Sequence, residues 1–323
     1  MREITFAEAT MEAMAEEMER DERVFIMGED IARQGGIFGQ FKGLPQKFGF
    51  ERVMDTPISE TAIVGACVGA ALAGMRPVAD MHFVDFITVA MDEVVNQMAK
   101  IRYMFGGQCK VPVVLRAPDG AARSAAAQHS QCLESWFVHV PGLKVVIPSN
   151  PADAKGLLKS AIRSDDPVLY FEHKDLFRMK GPVPEGDFLV PIGKGKVVRE
   201  GTDVTIVSYS ATLHKALKAA EALAEEGIQA EVVDLRSIVP LDKETLFESV
   251  KKTGRLVIAH EATKNGGVGS EVAAVVAEEI IEYLDGPIKR VGAKFVPIPF
   301  SPALEPLMLP QVEDIIAAVK ETF

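Results

Sequence analysis

The sequence predicts an α/β protein with two domains, each built on a mostly parallel β-sheet flanked by helices. The first observation is an alternation of short apolar runs, typical of buried strands, with longer helical stretches. The second is a segment rich in Pro and Gly, residues 181–195, after which the alternation begins again. The third is the length of 323 residues, which favours two domains over one. We therefore expect one domain at residues 1–180, a linker at 181–195 and a smaller domain at 196–323.

The first domain carries local signals for its helices as well as for its strands. Thr5 and Glu8 have the spacing of a capping box, which predicts a helix that continues to about Arg20. Ser59 is placed to cap a second helix that ends near Gly74. The other predicted elements are strands at 24–27, 78–81, 111–115, 144–147 and 168–171, a Gly-rich loop at 35–49, and helices at 84–105 and 151–163.

The second domain repeats the pattern over a shorter length. Strands alternate with helices, and this alternation places successive parallel strands in one sheet. The predicted elements are strands at 204–208, 230–235 and 256–259, and helices at 211–226, 242–252, 270–283 and after Pro310.

The composition is that of an ordinary globular protein, with 48% hydrophobic and 25% charged residues. The formal net charge is −11 and the sequence has no basic cluster, which argues against a nucleic-acid partner. The most apolar stretch, residues 61–75, is shorter than the roughly 20 residues needed to span a membrane. The three cysteines form no CxxC pair, and the N-terminus lacks the apolar core of a signal peptide. We therefore expect a cytoplasmic protein that binds neither nucleic acid nor membrane.

Glu60 is the first candidate functional residue. Pro57 keeps the preceding chain extended and Ser59 begins the helix, so Glu60 falls in the first helical turn after a strand. Ligands of open α/β sheets bind at that edge. By position alone, an acid there can simply complement the helix dipole. The helix behind it, residues 59–74, contains nine Ser, Ala or Gly residues, which predicts tight packing and a rigid first turn.

Eight segments spread along the chain carry a recognisable pattern: DTPISE at 55–60, RPVADMHFVDF at 76–86, IRYMFGG at 101–107, AAAQHSQ at 125–131, PGLKVVIPS at 141–149, DAKGLL at 153–158, VDLR at 233–236 and PLD at 240–242. In this order they resemble the beta subunits of the decarboxylating component of pyruvate, acetoin and branched-chain 2-oxo acid dehydrogenases. The resemblance covers nearly the whole chain and is closest to the acetoin and pyruvate types. It implies a transketolase-like fold, with a domain that binds the pyrimidine of thiamine diphosphate and a C-terminal domain.

The resemblance implies roles for five residues. Glu60 matches the glutamate that hydrogen-bonds the aminopyrimidine ring and promotes the tautomer whose imino group removes the thiazolium proton. Phe86 matches the aromatic residue that stacks on that ring, and His129 matches a histidine facing the reacting carbon. Glu29 matches an acidic turn near the passage that joins two active sites. His82 matches a position near the cofactor where relatives carry Met or Gln, and this departure leaves the substrate open.

The resemblance also implies metal sites. Relatives hold the diphosphate through Mg²⁺ bound by a GDG motif with a downstream Asn, and this chain has no GDG. We interpret Asp119-Gly120 as a turn and expect the alpha subunit to hold Mg²⁺. Some relatives bind K⁺ through backbone oxygens. The matching positions are Val113, Ala161, Ile162, Ser164 and Asp166, where Ser164 replaces an acidic residue.

A chain without the Mg²⁺ motif needs a partner to bind the whole cofactor. The resemblance implies a heterotetramer of two alpha and two beta chains, with thiamine diphosphate between subunits. It further implies that the C-terminal domain pairs beta with beta and docks the dihydrolipoyl acyltransferase core.

Two other functions remain open at this point. One is a split transketolase-like subunit acting on sugar phosphates, which should place several Arg and His near the site. The segments at 82–86 and 124–131 offer only Arg123 nearby. The other is a scaffold subunit without chemistry, against which the joint presence of Glu60, Phe86 and His129 argues. The sequence does not choose between pyruvate, acetoin and branched-chain substrates.

Overall fold

The computed structural model describes residues 1–122 and 124–323. The chain divides into two compact units. The first unit contains residues 1–119 and 136–192, and the second contains residues 120–135 and 193–323. Segment 120–135 therefore groups with the C-terminal part of the chain, although it lies inside the predicted first domain.

The elements of the N-terminal part follow the predicted alternation. Their bounds are β1 (Arg2–Thr5), α1 (Phe6–Arg20), β2 (Val24–Gly28), α2 (Leu44–Phe48), β3 (Val53–Asp55), α3 (Glu60–Leu72), β4 (Arg76–Asp80), a 3-10 helix (Val84–Ala90), a π-helix (Glu93–Met98), α4 (Ala99–Met104), β5 (Val114–Asp119), α5 (Glu134–Val138), β6 (Lys144–Val146), α6 (Pro151–Arg163), β7 (Val168–His173), a 3-10 turn (Lys174–Leu176) and β8 (Lys180–Val183). The capping box of Thr5 and Glu8 is formed, so this prediction is confirmed.

A parallel sheet organises the first unit. Its strands lie in the order β6, β7, β5, β4, β2 and β3, and every neighbouring pair is parallel. Gly28 is level with Asp55 on one side and with Asp80 on the other. The carboxyl ends of β2, β3 and β4 therefore meet at one edge, which is where ligands bind in sheets of this kind.

The segment predicted as a helix at 84–105 is helical, but it is not one regular α-helix. The chain instead forms the 3-10 helix Val84–Ala90, then the π-helix Glu93–Met98, then α4. The first turns contain Val84, Phe86, Ile87, Thr88 and Val89, whose branched or aromatic side chains lose rotamer freedom in an α-helix. Local propensity therefore opposes a regular helix where the apolar periodicity favoured one.

The predicted linker at 181–195 is mostly part of the first unit. Residues Lys180–Val183 form β8, which pairs antiparallel with β1. The hydroxyl of Ser160 on α6 donates to the carbonyl of Val190 at 2.6 Å, and a side chain at Gly156 would collide with Val190. Val190 is almost fully buried, and burial of this apolar side chain draws the segment onto α6.

The second unit has its own sheet. Strands β11, β10, β13 and β14 are parallel, and β9 is antiparallel at the edge beside β11. A core of apolar side chains from the sheet, α7 and α11 lies against it. The bounds are β9 (Lys196–Arg199), β10 (Val204–Ser208), α7 (Ser210–Glu225), β11 (Ala230–Asp234), β12 (Ser237–Val239), α8 (Lys243–Thr253), β13 (Leu256–Thr263), α9 (Val268–Glu279), a 3-10 turn (Ile281–Tyr283), β14 (Lys289–Ala293), α10 (Glu305–Met308) and α11 (Val312–Lys320).

Within residues 1–122 and 124–323, none of the helices combines the length and apolarity that crossing a bilayer requires. The mostly parallel sheets with helices between their strands confirm the predicted fold class.

Candidate active site

Three of the candidate residues follow neighbouring strands at the same edge of the first sheet. Glu29 comes directly after β2, Glu60 follows β3, and His82 follows β4. The strands can approach closely because residue 28 is glycine: a Cβ there would lie 2.6 Å from the carbonyl oxygen of Asp80. The sheet topology thus brings together residues that lie 22 to 53 positions apart in sequence.

Glu60 is the first residue of α3, so its predicted place in the first helical turn is confirmed. Ser59 is the N-cap residue, but its side chain makes no capping hydrogen bond, and the predicted cap is wrong in that respect. The hydroxyl of Thr61 donates to the carbonyl oxygen of Val89 at 3.0 Å. This bond ties the first turn of α3 to the 3-10 helix that carries Phe86.

Glu29 and His82 lie next to each other at this edge. His82 Nδ1 lies 3.1 Å from Glu29 Oε2, in an orientation poorly aligned for a hydrogen bond. Burial raises the pKa of Glu29, His82 opposes the rise, and the charges of Glu60 and Asp30 add to it. Residues that follow β3 and β4 therefore act on the pKa of Glu29, which follows β2.

Phe86 is half-buried and belongs to a cluster of aromatic rings. The rings of Phe83 and Phe86 meet edge to face with centroids 6.0 Å apart, and Phe38 meets Phe83 in the same way at 6.2 Å. The ammonium of Lys174 lies 4.9 Å from the centroid of Phe83. These contacts hold Phe86 while part of its surface stays accessible, as a stacking residue requires.

His129 belongs to the second unit, in a loop whose ends are joined by a hydrogen bond from Gly120 N to the carbonyl oxygen of Gln131 at 3.0 Å. The imidazole is partly exposed. Glu29, Glu60, His82 and Phe86 all lie in the first unit. Arg123, the basic residue weighed for the transketolase alternative, lies outside the described residues.

A buried ionic cluster lies beneath this edge, and it was not predicted from the sequence. Arg116 on β5 donates to Asp80 at 2.5 Å and pairs with Glu172 on β7. The guanidinium also lies 5.0 Å from the centroid of Phe41. Burial raises the pKa of Glu172 to about 7, although the charge of Arg116 opposes the rise. Charged residues inside otherwise apolar strands were the available signal, since such residues are buried only when paired.

The positions predicted for K⁺ lie around the end of α6. Arg76 Nη1 donates to the carbonyl oxygens of Ile162 and Ser164, both at 2.9 Å. The other three carbonyls also accept protein hydrogen bonds, Val113 from Val168 N, Ala161 from Ser164 N, and Asp166 from Ser164 Oγ. A carbonyl oxygen has a second lone pair, so these contacts leave coordination possible but place a guanidinium beside two of the five oxygens.

Comparison with known proteins identifies the domains. Residues 2–180 match the family "Transketolase, pyrimidine binding domain", and residues 193–315 match "Transketolase, C-terminal domain". A solved "Split gene transketolase, inactive beta4 tetramer" is 29% identical, with a TM-score of 0.82 over 99% of this chain and 98% of that chain.

Higher identity is found among curated dehydrogenase subunits. The 2-oxoisovalerate dehydrogenase subunit beta of Bacillus subtilis is 48% identical over 99% of both chains. The acetoin:2,6-dichlorophenolindophenol oxidoreductase subunit beta of Cupriavidus necator is 48% identical over 99% of this chain and 98% of its own. Beta subunits of pyruvate dehydrogenase E1 components match as well. The chain therefore belongs to the beta subunits of the 2-oxo acid and acetoin dehydrogenases, a family of oxidoreductases built on the two transketolase domains.

Proposed function

We propose that this chain joins an alpha subunit to form a thiamine-diphosphate-dependent dehydrogenase of a small 2-oxo acid or of acetoin, in which Glu60 activates the cofactor. The observation that supports this most is the position of Glu60. It begins α3 at the edge where β2, β3 and β4 end, within electrostatic range of Glu29 and joined through Thr61 to the helix of Phe86.

The chemistry needs a carboxyl group fixed at one ring nitrogen. When bound, thiamine diphosphate supplies the electron-sink chemistry that breaks a bond to a carbonyl carbon. Glu60 would hold a proton between its carboxyl group and the aminopyrimidine ring nitrogen. The raised pKa of Glu29 favours its protonated form, so Glu29 can also retain a proton at this edge.

The neighbouring residues would complete the pyrimidine half of the site. Phe86 would stack on the ring with its accessible surface. Glu29 would contribute a proton path, and His82 would add a polar contact beside Glu29. His129 would act on the substrate as proton donor or oxyanion partner, since an imidazole can donate a proton or a hydrogen bond.

The diphosphate half of the site would come from the partner. We expect the alpha subunit to hold Mg²⁺, and two alpha and two beta chains to assemble with contacts between the C-terminal domains. We also expect the C-terminal domain to dock the dihydrolipoyl acyltransferase, which receives the acyl group. We expect the assembly to work in the cytoplasm. K⁺ would bind through the second lone pairs of the carbonyls at 113, 161, 162, 164 and 166.

A split transketolase acting on sugar phosphates is the second candidate. The solved split-gene relative favours it in architecture. The dehydrogenase subunits are more similar at 48% identity, against 29% for the split transketolase. We therefore favour the dehydrogenase.

Glu60→Gln tests the proposal in the chain co-expressed with its alpha subunit. We expect dye-coupled oxidation of pyruvate, branched-chain 2-oxo acids or acetoin to fall roughly 100-fold or more, because Gln cannot share a proton with the ring. Hydrogen–deuterium exchange at the thiazolium carbon should slow in parallel. Glu51→Gln, at an exposed position, serves as the control. An unchanged rate in Glu60→Gln would refute the role of Glu60, and micromolar cofactor binding by this chain alone would refute the shared site.

A further inference from the structure

The loop that carries His129, residues 120–131, is attached to the sheet of the second unit. Gly120 N donates to the carbonyl oxygen of Gln131 and closes the loop, and His129 N donates to the carbonyl oxygen of Ala126 at 3.4 Å. Ser124 and Ala126 have positive φ angles of 61° and 62°, which L-residues other than Asn and Asp rarely adopt. A loop with two such residues needs outside contacts to keep one conformation.

Glu261 provides one of these contacts at the start of the loop. It lies on β13, and its Oε1 accepts a hydrogen bond from the backbone N–H of Ala121 at 2.7 Å. Both residues are buried. A bond from an amide to a buried carboxylate is stronger than a neutral one, and a buried carboxylate without partners is costly. The contact therefore fixes the backbone of the loop close to where it leaves β5.

A second contact holds the chain just after the loop. The hydroxyl of Tyr209 donates to Glu134 Oε1 at 2.7 Å, and both side chains are buried. Tyr209 itself is fixed by His260, whose ring is stacked on it with centroids 6.2 Å apart. His260 is fully buried and packs against Gly267 and Gly269, so the stack cannot shift without moving α9.

A third contact lies near the middle of the loop. Glu305, the first residue of α10, accepts a hydrogen bond at 2.9 Å from the backbone N–H of Ser124, one of the two positive-φ residues. The three contacts come from β13, the end of β10 and α10. They hold the loop at its beginning and near its middle, and they hold the chain directly after it.

We propose that Glu261, together with Tyr209 and Glu305, sets the position of His129 by fixing the loop at 120–131, and that these are positioning residues for the reaction. The inference rests on the proposed role of His129. It gives the C-terminal domain a part in catalysis besides assembly: the carboxyl edge of its sheet supports a loop that carries a reacting group. Misplacement of a reacting group by about 1 Å can cost 100-fold in rate.

Glu261→Ala in the complex with the alpha subunit tests the proposal. We expect kcat to fall roughly 10- to 100-fold, while exchange at the thiazolium carbon, which depends on Glu60, stays within about two-fold. Glu261→Gln should recover most of the rate, because its amide oxygen can still accept from Ala121. Glu231→Gln is the control, since Glu231 is another buried acidic residue of the same unit, and it pairs with Lys252 rather than with the loop. The double variant Glu261→Ala with His129→Ala should have the same kcat as His129→Ala alone, because both substitutions remove the same contribution.

The proposal would be overturned if Glu261→Ala slowed thiazolium exchange as much as it lowers kcat. It would also be overturned if the loss of kcat in the double variant were the product of the two single losses. Amide hydrogen exchange of the peptide covering residues 120–131 tests the attachment of the loop without a measurement of enzyme activity. Glu261→Ala should speed exchange there, and Glu231→Gln should not; unchanged exchange would mean that Glu261 does not hold the loop. Full activity of His129→Ala would instead refute the role of His129, and with it the catalytic consequence, while leaving faster loop exchange as evidence of the anchor.

Discussion

Glu29 Oε2 and His82 Nδ1 lie 3.1 Å apart at the edge where β2 and β4 end. The contact places a titratable base beside a carboxyl group whose pKa is already raised by burial and by the charges of Glu60 and Asp30. His82 partly offsets that rise. The pKa of Glu29 therefore depends on residues that sequence spacing did not bring together.

We expect Glu29→Gln to become relatively more stabilising as pH rises. Glu29 has a pKa above 4.5, its ordinary value, in the folded chain. Its stabilising contribution is therefore complete below that ordinary value and is lost as pH rises through the folded pKa. The difference in melting temperature between Glu29→Gln and the unmodified chain should grow from pH 4.5 towards pH 7. The exposed variant Glu51→Gln should show no such trend, and a flat difference for Glu29→Gln would contradict the prediction.

Arg116→Leu should be strongly destabilising. The change leaves the buried carboxyl groups of Asp80 and Glu172 without the guanidinium that pairs with both. Breaking a buried ion pair from one side costs about 3–5 kcal/mol. Chemical denaturation of the isolated chain measures the loss. Arg23→Leu removes a half-exposed arginine and should lower the free energy of unfolding far less. Similar losses for the two variants would show that burial does not make the ion pairs of Arg116 more important for stability.

Gly269→Ala should destabilise the second unit. The added Cβ would lie 2.8 Å from Nε2 of His260. The ring of His260 is fully buried and would have to shift to relieve this contact. Overpacking of this kind costs about 1–3 kcal/mol. Gly65→Ala on α3 is the control, because its Cβ meets only Glu93 at 3.6 Å and alanine favours a helix by about 0.5–1 kcal/mol. The prediction fails if both variants unfold at the same denaturant concentration.

K⁺ should stabilise the assembled enzyme more than Na⁺ at equal ionic strength if the carbonyls at 113, 161, 162, 164 and 166 coordinate it. The expected readout is a higher melting temperature in KCl than in NaCl, because an ion that binds only the folded state shifts the unfolding equilibrium. Arg76 already donates to two of these carbonyls, so equal melting temperatures would indicate that the guanidinium satisfies them without the ion.

Local sequence signals predicted the features that depend on neighbouring residues. The capping box of Thr5 and Glu8, the helix Pro151–Arg163 and the position of Glu60 in a first helical turn all follow from contacts within a few positions. The resemblance then identified the family correctly because whole segments, rather than single residues, matched. These are the features that the sequence by itself determined, since capping and apolar periodicity act over one or two turns.

The tertiary structure decided what depends on residues far apart in the chain. Arg116 meets Asp80 and Glu172 only because β4, β5 and β7 are neighbours in the sheet. Segment 120–135 groups with the second unit because Glu261 and Tyr209 bind it there, and periodicity carries no sign of such contacts. The 3-10 helix and the π-helix within residues 84–98 pack against α3, a contact that apolar periodicity does not show. Strand order and long-range hydrogen bonds are set by the whole fold, so no local pattern could have given them.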